Sequence, residues 1–264
     1  MIPYFHQPQV RLGPIVIHAF GVLVALAIFI GMRIVQRRAA AQRLPDREVG
    51  RFLSWVLIGG FVGAHLVDRL VYFPAETIAD PLSMLRVWES PSSFGGFLGG
   101  TIGAMLFFRR CAAPGSLWKY VDSFAYAFPF AWILGRTGCF VAYDHPGRPT
   151  TFVLGQMYRD GIVRHNVGLE EAIYTVFIAA LFHFAGRRPR FPGFFLGLFL
   201  FLYAPFRFAA DFLRIIDVRY FGLTPGQYGC IALMALAAVL LARQRDVPWD
   251  GPGHLRIEGA QRIR

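Results

Sequence analysis

The stretch IVIHAFGVLVALAIFIGMRIV, Ile15–Val35, contains one charged side chain, that of Arg33, in twenty-one residues. A bilayer core about 30 Å thick is crossed by roughly 20 mostly apolar helical residues. We therefore expect this stretch to span a membrane as a helix. Its arginine cluster follows the apolar residues, which is the reverse of a secretory signal, so we interpret the stretch as an uncleaved anchor.

The whole chain has the composition of a membrane protein. Of its 264 residues, 55% are hydrophobic, against about 45–50% in soluble domains. Seven apolar segments are predicted to span the membrane: Ile15–Val35, Phe52–Tyr72, Phe94–Phe108, Val121–Val141, Leu169–Phe184, Pro192–Leu213 and Gln227–Ala242. The predicted fold class is all-α, a polytopic bundle of about seven transmembrane helices. We expect one domain over residues 1–245 and a polar cytoplasmic tail over residues 246–264.

The distribution of positive charge predicts the orientation of the bundle. The net charge is +11, and apolar runs separate the arginines into short clusters, which is typical of membrane topology signals and not of nucleic-acid binding. Clusters follow the first, third, fifth and seventh spans, at residues 37–51, 109–119, 187–190 and 243–245. Because loops rich in arginine and lysine face the cytoplasm, we expect the N-terminus outside and the C-terminus inside.

A second set of arginines falls on the outer side of the predicted bundle or at the outer ends of its spans: Arg86, Arg136, Arg148, Arg159, Arg164, Arg207, Arg214 and Arg219. A guanidinium at the rim of a bilayer is costly and usually faces an interior cavity with a partner. Two explanations apply to Arg136. It binds the phosphate of an anionic lipid, for which a planar fork of donors is suited, or it pairs with Asp144 and only holds the following loop.

The sixth span carries three charged residues on one helix face. Arg207, Asp211 and Arg214 stand at positions i, i+4 and i+7, so their side chains are neighbours. An exposed ladder of ion pairs is the common explanation of such spacing. The surrounding phenylalanines favour the other explanation, a polar stripe that faces the interior of the bundle.

The remaining polar residues give no metal motif. The three cysteines are scattered, and no histidine pair has the His-Glu-x-x-His spacing of a zinc site, so we expect neither metal nor cofactor. His145 and His165 are candidates for proton transfer, whereas His18 is interpreted as a hydrogen-bonded bundle residue. Glu170 and Glu171 either pair with outer arginines or mark the membrane interface. The glycines of residues 95–100 are explained by close helix packing, because the lysine of a phosphate-binding P-loop is missing.

Several short motifs together resemble one family. In chain order they are Ile17-His18-Ala19-Phe20-Gly21, Gly63-Ala64-His65-Leu66, Arg86-Val87-Trp88-Glu89 with Ser93-Phe94-Gly95-Gly96, Gly135-Arg136-x-Gly138-x-Phe140 with Asp144 and Gly147-Arg148, Arg164-His165, Phe206-Arg207 with Asp211-Phe212-x-Arg214, and Thr224-Pro225-Gly226-Gln227. The pattern resembles the prolipoprotein diacylglyceryl transferases. These inner-membrane enzymes move diacylglycerol from phosphatidylglycerol to the lipobox cysteine of preprolipoproteins.

The resemblance implies a multi-pass protein of the bacterial inner membrane, with a site near the outer leaflet. Its partners would be phosphatidylglycerol, preprolipoprotein lipobox peptides and membrane lipids, without nucleic acid or cofactor. The candidate catalytic residues are Arg136, Arg207, Asp144, His145 and His165. The candidate substrate-binding residues are Gly95, Gly96, Cys139, Gly147, Arg148, Asp211, Arg214, Phe20 and His18. We expect the arginines to stabilise charge on the departing phosphate, with Asp144 and Asp211 orienting them.

The chain differs from the family pattern at some polar positions. Phe20, Gly95 and Cys139 stand where the family has tyrosine, histidine and asparagine. These differences motivate an alternative, a non-catalytic homologue that binds anionic phospholipid or preprolipoprotein. A transporter is a further alternative, although the polar residues cluster at one side of the predicted bundle and no inverted repeat is visible.

Overall fold

The computed structural model describes residues 1–13, 15–85, 92–111, 116–144, 146–188, 190–215 and 219–243. The predicted tail, the motif at residues 86–89 and His145 lie outside the described residues. The helices are α1 (Ala19–Ala41), α2 (Asp46–Val67), α3 (Pro74–Ala79), α4 (Ser93–Arg110), α5 (Leu117–Ala142), α6 (Val167–Ala185), α7 (Phe194–Ala210) and α8 (Pro225–Arg243). A π-helical turn, Asp68–Tyr72, follows α2, and 3-10 turns cover Pro81–Leu85 and Asp211–Leu213.

The helices confirm a polytopic helical membrane protein. Among the described residues, six helices are long and apolar enough to cross a membrane: Ala19–Ala41, Asp46–Leu70, Leu117–Ala142, Val167–Ala185, Phe194–Leu213 and Pro225–Ala242. Helix α4, the third predicted span, has 18 residues and ends in two arginines. The number of seven spans and the orientation of the chain therefore stay predictions.

Within the described residues, five short strands form two small sheets. Strands β1 (Gln9–Leu12) and β2 (Ile15–His18) form an antiparallel hairpin. The first helix consequently begins at Ala19 and not at the predicted Ile15. The β-branched residues before it suit a strand, and Gly13 has the positive φ of 62° that a turn into the hairpin requires.

The second sheet lies between α5 and α6 in the chain. Its strands are β3 (Pro146–Pro149), β4 (Gln156–Met157) and β5 (Val163–Asn166), antiparallel in the order β3-β5-β4. Strand β5 runs into α6 without a linker. The Asn166 side chain accepts a hydrogen bond from the Leu169 amide at 3.1 Å and so caps the helix. This junction fixes where the first turn of α6 begins.

The chain divides into two compact units, Met1–Val35 with Val121–Arg264, and Gln36–Tyr120. The single domain over residues 1–245 stays a prediction. In the first unit, apolar side chains of α5 to α8 form the core, which includes Ile178, Phe182, Phe195, Phe199 and Ala237. Asp122 of α5 accepts hydrogen bonds from the backbone amides of Gly193 and Phe195 at 2.8 and 3.2 Å. The carboxylate thereby holds α5 to the N-terminus of α7.

The second unit is built on close packing of α2 against α4. A Cβ atom at Gly95 would lie 2.3 Å from the carbonyl oxygen of Gly63, and one at Gly99 would lie 2.1 Å from that of Gly59. Only glycine allows the two backbones to approach this far. The glycines after Ser93 therefore serve helix packing, as their sequence spacing predicted.

Candidate active site

Helix α5 places three side chains of the candidate site on one face. Trp132, Arg136 and Cys139 stand at i, i+4 and i+7, and Arg136 is 4% exposed. Its guanidinium lies 4.4 Å from the centroid of the Trp132 ring, and its Nη1 atom lies 3.8 Å from the Cys139 sulfur. A buried guanidinium requires a charged or hydrogen-bonding partner, because its desolvation is costly.

That partner is Glu171 on α6. Arg136 Nε lies 3.2 Å from Glu171 Oε2, and the glutamate side chain is completely buried. The Tyr203 hydroxyl of α7 donates to Glu171 Oε1, and Trp132 Nε1 donates to the Tyr203 oxygen at 3.0 Å. The buried carboxylate therefore joins three helices.

The alternative pairing of Arg136 with Asp144 is wrong. Asp144 follows the end of α5, after Tyr143 has turned the chain with a φ of 57°, and its side chain is exposed. Glu171 instead projects from a facing helix into the interior. The two glutamates at the start of α6 contact different side chains, since Glu170 lies beside His165 and Glu171 beside Arg136.

The second half of the site is the charged stripe at the end of α7. Arg207 Nη1 lies 2.8 Å from Asp211 Oδ1, and Arg214 Nη1 lies 3.6 Å from the same oxygen. Asp211 is 1% exposed, and the Thr224 hydroxyl donates to its other oxygen at 2.7 Å. The stripe faces the interior, as the surrounding phenylalanines predicted. Arg207 Nη1 also lies 4.0 Å from Glu171 Oε2, which connects the two halves.

The charges of these five side chains do not cancel. The guanidinium groups of Arg136, Arg207 and Arg214 face the carboxylates of Glu171 and Asp211, which leaves one net positive charge. Electrostatic attraction is stronger in a buried site than in water. The cluster is therefore suited to an anion, such as a phosphodiester, bound by guanidinium groups whose orientation the carboxylates already fix.

A histidine–carboxylate pair lies at the adjoining end of α6. His165 Nδ1 is 2.6 Å from Glu170 Oε1, and the imidazole stacks on Phe152 with 5.9 Å between ring centroids. Gly147 allows β3 to lie close to β5, because a Cβ atom at residue 147 would lie 2.7 Å from the His165 Cβ atom. Gly147 also forms a backbone bridge with Arg214. The pair and the arginine cluster are thus linked by covalently adjacent glutamates and by one backbone contact.

The turn between β4 and β5 is fastened by an ion pair outside the spans. Arg164 Nη2 donates to Asp160 Oδ2 at 2.7 Å, and the Ile162 amide donates to Asp160 Oδ1 at 3.0 Å. The Arg164 hydrogen bond, followed by that of the backbone, lowers the Asp160 pKa below its ordinary 3.8. Burial of the nearby Tyr158 raises the pKa of its phenol to about 12. Arg164 directly precedes His165, so this ion pair steadies the strand that carries the histidine.

Three other predicted site residues differ in burial: one packs against α5 and two are exposed. Phe20 of α1 packs against α5, because a Cβ at Gly138 would lie 3.0 Å from its ring. His18 is exposed in β2, and Arg148 is exposed in β3.

The predicted substrate-binding glycines lie in the second unit. Gly95 and Gly96 face α2, where their nearest neighbours are Gly63 and Ala64. These contacts are helix packing. His145, the other candidate for proton transfer, lies outside the described residues.

Sequence reasoning missed two members of the site, Trp132 and Tyr203. Each stands four residues before a predicted arginine, Arg136 or Arg207, and therefore on the same helix face. Both carry a polar group on an aromatic ring, which requires a hydrogen-bond partner when buried. Spacing and residue type together could have identified them.

Fold and site together define an integral membrane protein of the helical class that buries an arginine–carboxylate cluster with one net positive charge. The sequence model of the prolipoprotein diacylglyceryl transferase family matches residues 8–243. The chain belongs to this family, as the motifs indicated, and is a membrane-embedded transferase.

Individual relatives match along nearly their whole length. The chain is 32% identical over 262 residues to the phosphatidylglycerol–prolipoprotein diacylglyceryl transferase of Nitratidesulfovibrio vulgaris, which covers 95% of this chain and 97% of the relative. It is 33% identical to the enzyme of that name from Gluconacetobacter diazotrophicus, and the match covers 92% of this chain and 91% of the relative. The Tolumonas auensis relative, which has the same name, is 28% identical, and the match covers 88% of this chain and 93% of the relative. These relatives favour a transferase over the non-catalytic and transporter alternatives.

Proposed function

We propose that this protein transfers diacylglycerol from phosphatidylglycerol to the lipobox cysteine of a preprolipoprotein. The names of the relatives support this donor and acceptor. The single structural observation that carries the proposal is the buried cluster in which Arg136 and Arg207, from two helices, share Glu171. We place the reaction near the outer leaflet of the inner membrane.

The cluster fits the donor lipid by charge. Phosphatidylglycerol carries a negative charge on its phosphodiester, and guanidinium groups bind phosphate oxygens as two-pronged donors. Glu171 and Asp211 hold the guanidinium groups in place before the lipid arrives. Arg214 and Cys139 lie beside Asp211 and Arg136, and we assign them to substrate binding.

The reaction concentrates charge where the arginines lie. The acceptor thiolate attacks the glyceryl carbon of the diacylglycerol, a carbon–sulfur bond forms, and the bond from that carbon to the phosphate oxygen breaks. The bond's electron pair leaves with glycerol phosphate, whose negative charge increases. Preorganised donors at such a position contribute about 3–4 kcal/mol each. We assign this role to Arg136 and Arg207.

The acceptor thiol must lose a proton, and we assign its removal to His165, which is paired with Glu170. If Nδ1–H donates to Glu170, the lone pair of Nε2 is free to accept the thiol proton, and the carboxylate stabilises the resulting imidazolium. The imidazolium then returns its proton to water or to the released phosphate. His165 is thereby our candidate for the base.

Transfer to a fluorescent lipobox peptide in phosphatidylglycerol nanodiscs tests the proposal. Arg136→Ala and Arg207→Ala are each expected to lower kcat/KM by about 10²–10³, the loss measured when one oxyanion donor is removed. Arg187→Ala, which removes an exposed guanidinium stacked on Phe184, is the matched control and should retain activity. Wild-type protein that binds phosphatidylglycerol but forms no thioether would contradict the proposal.

A further inference from the structure

The loop between α7 and α8 ends in a tight turn with an unusual residue. The Tyr220 amide donates to the Leu223 carbonyl at 2.8 Å, and the Leu223 amide donates back at 3.0 Å. Phe221 and Gly222, between them, have φ values of 49° and 85°. Two successive left-handed residues form a type I′ turn, whose first position favours asparagine, aspartate or glycine. Phenylalanine in this conformation costs conformational free energy.

Burial of the Phe221 ring against the described chain does not offset that cost. Phe221 is 102% exposed and Tyr220 is 58% exposed. A single exposed apolar side chain is ordinary on a protein surface. A fully exposed aromatic ring on a strained backbone is not, because a polar residue would fit the same turn better.

Hydrogen bonds hold this turn at the ends of two membrane spans. The Tyr228 hydroxyl, from the first turn of α8, donates to the Tyr220 carbonyl at 2.9 Å. Arg219 Nη2 donates to the Asp211 carbonyl at 3.2 Å, and its guanidinium lies 5.6 Å from the Phe212 ring. Since Asp211, Phe212 and Tyr228 all belong to spans, the turn lies alongside the span ends and does not project away from them.

We propose that the turn Tyr220–Leu223 is a membrane anchor whose Phe221 ring inserts into the bilayer interface. The occupant of this exposed surface is phospholipid, because the chain crosses a bilayer immediately on either side. Aromatic side chains concentrate at such interfaces, and Arg219 offers positive charge to anionic headgroups. This inference depends on the membrane spans and not on the proposed reaction.

The anchor would fix the depth of the arginine cluster. Arg219 hydrogen-bonds the backbone of Asp211, and the Asp211 carboxylate binds Arg207 and Arg214. Inserting Phe221 among the headgroups therefore holds this half of the cluster at the level where lipid phosphates lie. The anchor acts on lipid position and not on bond breaking.

Photo-crosslinking in the full chain tests which molecule contacts the ring. Phe221→p-benzoylphenylalanine, reconstituted in nanodiscs of phosphatidylglycerol and phosphatidylcholine, should form phospholipid adducts that mass spectrometry detects. The same substitution at Asp160, on the exposed β4–β5 turn, is the control and should form far fewer. Equal lipid yields at both positions, no lipid adduct at 221, or adducts with an added lipobox peptide instead would each overturn the proposal.

A second variant separates anchoring from turn stability. Phe221→Asn creates the preferred Asn-Gly turn and removes the aromatic ring, whereas Phe221→Trp keeps an interfacial ring. If lipid holds the turn, hydrogen exchange of the Tyr220 and Leu223 amides in nanodiscs should be about tenfold faster in Phe221→Asn, since burial of one phenylalanine corresponds to at least this factor. Phe221→Trp should resemble the wild type. Slower exchange in Phe221→Asn would show that only the local turn matters and would refute the anchor.

Discussion

Replacement of Glu171 by glutamine should destabilise the protein far more than the same change one residue earlier. Glu171→Gln leaves Arg136 buried without its carboxylate, and removal of one partner from a buried ion pair costs about 3–5 kcal/mol. For a chain of this size, each kcal/mol lowers Tm by about 2–4 °C, so the expected loss is about 6–20 °C. Glu170→Gln should cost less than about 1 kcal/mol, because the Glu170–His165 pair is partly exposed.

Thermal unfolding of both variants in one detergent measures this difference. Arg136→Met combined with Glu171→Gln removes both charges, so the double variant should recover more than half of the Tm lost by Glu171→Gln. It should nevertheless be inactive in the transfer assay, since it lacks Arg136, the guanidinium that we propose binds the phosphate. Equal Tm values for Glu171→Gln and Glu170→Gln would refute the buried ion pair as the link between α5 and α6.

Three further predictions concern the histidine pair, the β4–β5 turn and the glycine packing. His165→Gln and Glu170→Gln should lower kcat by about 10²–10⁴ near pH 7, the usual contribution of a general base, with KM for phosphatidylglycerol unchanged. The loss of kcat should become smaller towards about pH 9, because a free acceptor thiol with a pKa of about 8.5 then ionises without a base. A loss of kcat that does not change with pH would contradict the role of His165 as the general base. The Asp160 carboxylate, whose folded pKa is lowered, should stabilise its turn fully above pH 3.8 and lose this contribution as the pH falls through the folded pKa. Amide exchange of Ile162 measured against pH should show this loss in wild type and not in Asp160→Asn. Gly99→Ala places a Cβ 2.1 Å from the Gly59 carbonyl and should lower Tm clearly, whereas Gly100→Ala, with 3.5 Å to the nearest atom, should not.

Regular spacing within one helix made part of the site predictable. Arg207, Asp211 and Arg214 repeat at helical intervals, so their contact followed from the sequence although the helix tightens into a 3-10 turn at Asp211. The boundaries of most spans followed from hydropathy in the same way. Close packing of α4 against some neighbouring helix was likewise indicated by its series of glycines, although the sequence did not identify α2 as that neighbour.

Contacts between helices were not predictable from one sequence. Arg136 had a carboxylate eight residues away, Asp144, and the sequence offered no reason to prefer Glu171, thirty-five residues away. That preference arises because Glu171 projects from α6 into the interior beside α5, whereas Asp144 is exposed after the turn at Tyr143. The short strands β1 to β5 were missed since four residues or fewer carry no clear alternation of apolar and polar side chains.

The direct passage of β5 into α6 restricts how this chain can vary in length. Glu170 and Glu171 point about 100° apart around the helix axis, towards His165 and Arg136 respectively. The Asn166 cap fixes where the helix begins and therefore the direction in which each carboxylate points. One residue inserted between Asn166 and Glu170 would rotate both carboxylates away from their partners at once. Deletions and insertions should therefore be tolerated in the β3–β4 segment but excluded at this junction, which a scan of single-residue insertions would reveal as a sharp gap in viable variants.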